Sequence, residues 1–208
     1  MEDCLVKVLL EVPGWLTTDE AELLFSLTRD WEAPGQCVEL GAYQGHSTIC
    51  MALALDARAH SSDLLLSIDK HSGSAEHQLG GSAFDLSTLD DHGSVNTEHL
   101  LRKHLETFQV MHRVVVKVSD TRDAGVNFSQ PIRLLFVDAD HELNKVREDI
   151  AAWEAHVSPA GCIVLHDVGG WPGPTIVAGE LLASGYTRVE QAGTLLALRK
   201  PSPEEHLQ

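Results

Sequence analysis

Basic residues are scarce in this chain of 208 residues: 15 Lys and Arg stand against 31 Asp and Glu, a formal charge of −16. Such a balance repels phosphate backbones and anionic lipid heads, which weighs against nucleic acid and membrane surfaces as partners. No C-x-x-C pair joins the four cysteines, Cys4, Cys37, Cys50 and Cys162, three of which lie inside apolar runs. They read as buried thiols of a reducing compartment. A long apolar stretch is missing as well. The N-terminal MEDCLVKVLLEVPGW carries acids at positions 2 and 3, so neither a signal peptide nor a membrane span is expected, and the expected location is cytoplasmic. The third glycine of a dinucleotide fingerprint G-x-G-x-x-G is also absent, which argues against a nicotinamide-dependent oxidoreductase.

What is present is a chain long enough for one domain, burying roughly 70% of its unfolded surface. Thr17-Thr18-Asp19-Glu20 has the form of a capping box, and Leu23, Leu24, Leu27 and Trp31 follow at helical spacing, which predicts a helix over 18–31. Apolar strands and helical patterns then alternate: strands at 37–41, 64–69, 113–118, 132–138 and 161–166, helices at 46–57, 96–108, 142–157 and 174–184. Ser158 to Gly161 is expected to stop the third of these helices. Residues 186–190 and 194–199 flank Gln191-Ala192-Gly193 as a hairpin. The sum is an α/β, Rossmann-like doubly wound fold: a mostly parallel seven-stranded sheet, an antiparallel C-terminal hairpin and an N-terminal helical extension over 1–33. Residues 1–200 form the expected single domain, and 201–208 a tail. The polar stretch 71–95 exceeds ordinary loop lengths and reads as an insertion, either a surface excursion or a cover for a substrate.

Chemistry concentrates at strand ends, where open parallel sheets bind ligands. Glu39, Gly41 and Gly45 join the first strand to an apolar helix, Ser47 to Leu55. Glycines there admit positive φ and close approach of a ligand, the helix N-terminus favours an anionic group, and Glu39 offers an acceptor for an ammonium or a hydroxyl. The plainer alternative is an ordinary tight turn. The second strand ends in Asp69, where a carboxylate can accept from both hydroxyls of a ribose. The third ends in Ser119-Asp120, placed to meet an adenine edge or to cap the next helix. The fourth ends Asp138-Ala139-Asp140-His141 and the fifth His166-Asp167. As neighbours, those ends lie roughly 5 Å apart, and two carboxylates at that distance repel unless a proton or metal sits between them. Asp138 and Asp167 therefore form a candidate cation site, with His166 or His141 shifting the preference toward a transition metal. A hard cation there would acidify a substrate hydroxyl, and a histidine beside it would take the proton. Helix capping by Asp140 and solvation of the other acids is the competing account. Trp171 lies in a rigid Gly- and Pro-rich loop over the same end of the sheet, ready to stack on a substrate ring or to pack on the sheet edge.

At these residues the chain resembles the class I S-adenosylmethionine-dependent methyltransferases over most of its length. The turn from Glu39 to Gly45 looks like that family's first motif and Asp69 like its ribose acid. WLT at 15–17, ELGAYQGHST, IDKHSG at 68–73, VDADH at 137–141 and LHD at 165–167 are similar to small-molecule O-methyltransferases that include cephalosporin-tailoring and macrolide-sugar relatives, several of them Mg²⁺-dependent. The resemblance implies S-adenosylmethionine (SAM) and Mg²⁺ or another divalent cation as cofactors and a small-molecule hydroxyl as acceptor. It implies Glu39, Gly41, Gly45, Ser47, Asp69, Ser119 and Asp138 for the cofactor, and Asp138, Asp167 and His166 for the metal. His141 is then the catalytic base, acting with Asp138. Metal-binding relatives often carry an acid where this chain has His166. A metal-independent N-methyltransferase and a non-catalytic cofactor-binding protein stand as alternatives, and a homo-oligomer is a further expectation because neighbouring subunits often complete the lids of such small domains.

Overall fold

The computed structural model describes residues 2–58 and 62–202. The tail expected at 201–208 lies outside the described residues from 203 onward. Two helices come first, α1 (Glu2–Glu11) and α2 (Thr18–Asp30). The capping box starts α2 where the sequence places it: Thr17 N–H donates to Glu20 Oε2 at 2.8 Å, and Glu20 N–H to Thr17 Oγ1 at 3.4 Å. There follow β1 (Gln36–Leu40), α3 (His46–Ala57), β2 (Leu65–Asp69), α4 (Glu98–Thr107), β3 (Val114–Val118) and α5 (Thr121–Val126). The second half is β4 (Ile132–Val137), α6 (Leu143–Trp153), β5 (Val157–Leu165), α7 (Pro172–Ala183), β6 (Thr187–Ala192) and β7 (Leu195–Arg199).

The strands form one seven-stranded sheet in the order β3-β2-β1-β4-β5-β7-β6. β1 to β5 run parallel, and β7 is antiparallel to both β5 and β6, which is the mostly parallel sheet with an antiparallel hairpin that the sequence predicts. Successive residues of each central strand serve opposite faces. Cys37, Leu134 and Cys162 belong to a core under the α1–α4 side with Val8, Leu24, Ile49 and Leu101. Val38, Leu135 and Ile163 belong to another with Val146, Ile150, Trp153 and Val177. Every residue of β4 is buried, Arg133 included; its guanidinium donates to Thr28 O at 2.9 Å and lies 3.7 Å from Asp63 Oδ2, which supplies a counter-charge. Among the described residues no helix is long and apolar enough to cross a membrane.

Gln191 and Ala192, expected in the hairpin turn, are paired in β6, and the largest boundary shift from the sequence reading is at the α6–β5 junction. Helix α6 ends at Trp153, and Val157 to Gly161, expected as a helix end and stop, open β5 instead. The pairing jumps from Ile132–Val157 to Leu134–Cys162, so Pro159 and Ala160 sit in a bulge, where a missing N–H costs no ladder bond. Trp31 Nε1 caps the bulge by donating to Ala160 O at 3.0 Å.

The chain order reverses between β1 and β4: β2 and β3 lie on one side, β5 and the hairpin on the other. Such a switch point opens a crevice at the carboxyl ends of the strands. Every candidate residue read from the sequence lies at or near that end.

Candidate functional site

Leu40 is the last residue of β1, and the turn beyond it is packed against the chain itself. Gly41 has φ +90°, and a Cβ there would collide with the Asp138 carbonyl; Gly45, with φ +100°, is the N-cap of α3, and a Cβ there would press on Leu101 Cδ1. Both positions need glycine because neighbouring elements come close, a demand made by β4 and α4 as much as by any ligand. Behind the turn, Glu39 is fully buried and accepts from Ser47 Oγ at 2.6 Å, Thr48 Oγ1 at 2.7 Å and Ser67 Oγ at 2.6 Å. Its acceptor capacity is turned inward, tying β1, β2 and α3 together. Ser47 is thus a partner of Glu39.

Burial pushes the Glu39 carboxyl up to about 7 against the pull of those three hydroxyls. The folded chain therefore keeps a proton that the unfolded chain releases at lower pH, so this group's contribution to stability is lost as pH rises toward and through 7. The cost amounts to about 3 kcal/mol by pH 8. Glu39→Gln should flatten that dependence. Urea midpoints of the two proteins between pH 5 and 8 should diverge as pH rises, and parallel curves would refute the assignment.

Asp69 closes the turn from β2. Its Oδ2 accepts from the N–H groups of Ala42 and Tyr43, both at 2.9 Å, and Oδ1 from His71 N–H at 2.7 Å. The same carboxylate borders a cavity of about 70 Å³ shared with Lys70, Asp120, Ala139 and Lys145. Asp120 caps α5, accepting from Arg122 N–H at 3.1 Å, while Ser119 pairs its N–H with Asp69 O at 3.1 Å. Asp69 thus fastens the turn and still faces a polar cavity at the ends of β2, β3 and β4.

Across the switch point, β4 and β5 bring Asp138, His141 and Asp167 together, with one potential ligand atom from each mutually within 4.8 Å. Asp167 holds φ +62°, a strained conformation of the kind that gathers at functional sites. His141 Nε2 lies 2.8 Å from Asp167 Oδ2, and Nδ1 lies 3.0 Å from Glu76 Oε1. Burial opposes a charge on this ring, but the Asp167 hydrogen bond and the charges of Asp167, Asp138 and Glu76 outweigh it and raise its pKa. Trp171 stacks on the ring at 4.5 Å and 14°. His166 stands behind the acids, 4% exposed, with Nδ1 at 3.2 Å from Asp138 Oδ1 and 3.4 Å from Asp167 Oδ2. Burial acts against its charge too, yet the two aspartates carry it to about 11. In this arrangement His166 donates to the acids, and His141 is the ring that completes the ligand-capable group. Asp167 is held well below the usual carboxylate range, because its bonds to His141 and His166 overcome its burial.

Two acids that sequence reasoning missed join this network. Glu20 Oε2 lies 3.7 Å from His166 Nε2, while its Oε1 accepts from Thr194 N–H at 2.7 Å; only the capping-box half of its role is visible in the sequence. Glu76, from the 71–95 insertion, carries no local signal. Asp140 accepts from Glu142 N–H at 2.9 Å and shapes the turn into α6.

A family model described as a methyltransferase domain matches residues 38–168, more than half of the chain. The chain belongs to that methyltransferase family. Solved structures share the methyltransferase's fold. The O-methyltransferase NovP superposes with a TM-score of 0.71 at 16% identity, over 88% of this chain and 80% of that one. An O-methyltransferase from Bacillus cereus in complex with SAH gives 0.64 at 16%, over 95% and 91%. CalS11, a TDP-rhamnose 3'-O-methyltransferase of calicheamicin biosynthesis, gives 0.59 at 17%, over 95% and 92%. At such identities the likeness speaks for the fold of this methyltransferase, and its chemistry has to be argued from its own residues.

Proposed function

We propose that this methyltransferase moves the methyl group of SAM to a hydroxyl of a small molecule, a sugar or natural product, with His141 as base and a divalent cation held by Asp138 and Asp167. The observation that carries the reading is the meeting of Asp138, His141 and Asp167 at the ends of β4 and β5, directly across the switch point from the Gly41 turn. Names of structural relatives point the same way: one complex holds SAH, and CalS11 acts on a nucleotide-linked sugar.

The donor half uses β1 and β2. The first N–H groups of α3 have no partner within the helix and favour an anionic group. Asp69, anchored by three backbone N–H groups, offers its remaining lone pairs to ribose hydroxyls in the adjoining cavity, with Ser119 alongside. Glu39, Gly41 and Gly45 act by giving the turn its shape. The residues fit a cation as well: two carboxylates and an imidazole converge, and like charges that close favour a positive partner between them. His166 would orient the acids from behind, which leaves His141 Nε2 uncoordinated for its role as base. A divalent cation there would lower the pKa of an acceptor hydroxyl. His141 takes the hydroxyl proton, and Trp171 flanks the acceptor side. Holding donor and acceptor in line supplies roughly 7–11 kcal/mol of the barrier.

In this reading residues 1–200 act as one catalytic unit, with 71–95 shaping the acceptor side. Calorimetry should show binding of SAM and none of NAD. Transfer from methyl-labelled SAM to TDP-rhamnose should stop on exhaustive chelation and return with Mg²⁺. Binding of NAD in place of SAM would overturn the reading, and transfer that survives chelation would remove the cation from it.

A further inference from the structure

The insertion between β2 and α4 sends a carboxylate into the acid–histidine group from outside the sheet. Glu76 belongs to a single 3-10 turn, Ala75–His77, closed by a capping box between Ser74 and His77. Ala83 N–H donates to Glu76 O at 3.0 Å, and Gln78 Nε2 to Ser72 O at 2.8 Å. Gly81 passes so close over the Glu76 carbonyl that a Cβ would collide with it. Next door, the His77 ring stacks on Tyr43 at 5.0 Å and lies 5.4 Å from Trp15. The backbone of residue 76 is therefore fixed before its side chain is considered. From that fixed point Oε1 reaches His141 Nδ1, 65 residues along the chain.

Three neighbours restrain the His141 ring, and they do different things. Trp171 lies flat against it. Stacking controls tilt but is nearly blind to a half-turn about χ2, which would exchange each ring nitrogen for a carbon. The hydrogen bonds at Nδ1 and Nε2 tell the two orientations apart. Of these, the Nε2 partner is Asp167, a member of the cation-binding pair and so not dedicated to the ring. Glu76 has no other assigned role in the site.

We propose that Glu76 is a positioning residue for His141: it holds Nδ1 and thereby keeps Nε2 turned toward Asp138, Asp167 and the acceptor. The proposal rests on the methyl-transfer reading above. It makes the 71–95 insertion part of the catalytic apparatus, since the insertion delivers the group that orients the base.

The test compares wild type with Glu76→Ala, Glu76→Gln and Glu76→Asp. Three readouts are used: methyl transfer to TDP-rhamnose with Mg²⁺, SAM affinity by calorimetry, and ring nitrogen resonances of His141 by long-range ¹H–¹⁵N NMR. Glu76→Ala should lower kcat by about 10- to 100-fold, as loss of a histidine's orienting partner does, with SAM affinity and acceptor KM level. Its Nδ1 resonance should move. Glu76→Gln, whose amide oxygen still accepts from Nδ1–H, should recover most of the rate and keep the resonance, with Glu76→Asp in between. Wild-type kcat in the alanine variant, equal losses in the alanine and glutamine variants, or a loss that follows SAM affinity would overturn the proposal, the last by reducing Glu76 to a tie for the loop. If wild type leaves TDP-rhamnose unmethylated, that acceptor is ruled out, and the ring spectra alone decide: an Nδ1 signal unchanged in Glu76→Ala ends the proposal.

Discussion

Asp138→Ala should bind SAM nearly as wild type does and lose methyl transfer by at least about 100-fold, the lower end of what a proton-transfer apparatus contributes. The backbone at this point is secured independently of the side chain: Asp138 N–H donates to Leu40 O at 2.8 Å, continuing the β1–β4 ladder. The donor turn should survive the change. What disappears is one of the two carboxylates of the site and the nearest counter-charge of His166, whose Nδ1 lies 3.2 Å away. Asp167 alone then faces two histidines and holds a cation poorly. Calorimetry with SAM beside a labelled-methyl assay separates the two consequences. Turnover at the wild-type rate would remove Asp138 from the mechanism, and loss of SAM binding in step with turnover would place it wholly in the donor half.

Gly41→Ala is expected to harm both halves together. The position has φ +90°, and the added Cβ would meet the Asp138 carbonyl, which is backbone and has no rotamer by which to yield. Left-handed strain of about 1–2 kcal/mol adds to overpacking of about 1–3 kcal/mol. A loss of roughly 2–5 kcal/mol in unfolding free energy should follow, together with a fall in turnover, because the atom displaced belongs to the site's own aspartate. Gly45→Ala is the control. It shares the positive φ, but its Cβ would press on Leu101 Cδ1, the end of a flexible side chain. Stability should drop with less effect on rate. Thermal denaturation and kcat measured on both variants decide it, and equal behaviour of the two would deny the Gly41–Asp138 contact its part.

The sheet was legible because its signals are local. Ile132 to Val137 is apolar except for Arg133, and Thr17-Thr18-Asp19-Glu20 announces α2, so type and order of the main elements follow from short windows. Boundaries set by distant packing were not. Ser158 to Gly161 reads as a helix stop, yet the bulge against β4 and the Trp31 bond to Ala160 draw it into β5. At the site, strand-end acids could be named because a parallel sheet places them predictably, whereas their partners could not. Asp69 serves the backbone of Ala42 and Tyr43, across 27 and 26 residues; Glu20 meets Thr194 across 174. No residue type or spacing near Glu76 or Glu20 marks them for these contacts, which exist only once the insertion and the N-terminal helix have docked.

The pairing of β1 with β4 also governs when the site comes into being. Gln36–Leu40 must find Ile132–Val137, so a ribosome has to release well over half the chain before the crevice has two walls. Closure of so long a loop is slow relative to helix formation. Helices on the early segments should therefore precede any capacity to bind a ligand, and a chain arrested before β4 should hold nascent secondary structure but no donor pocket.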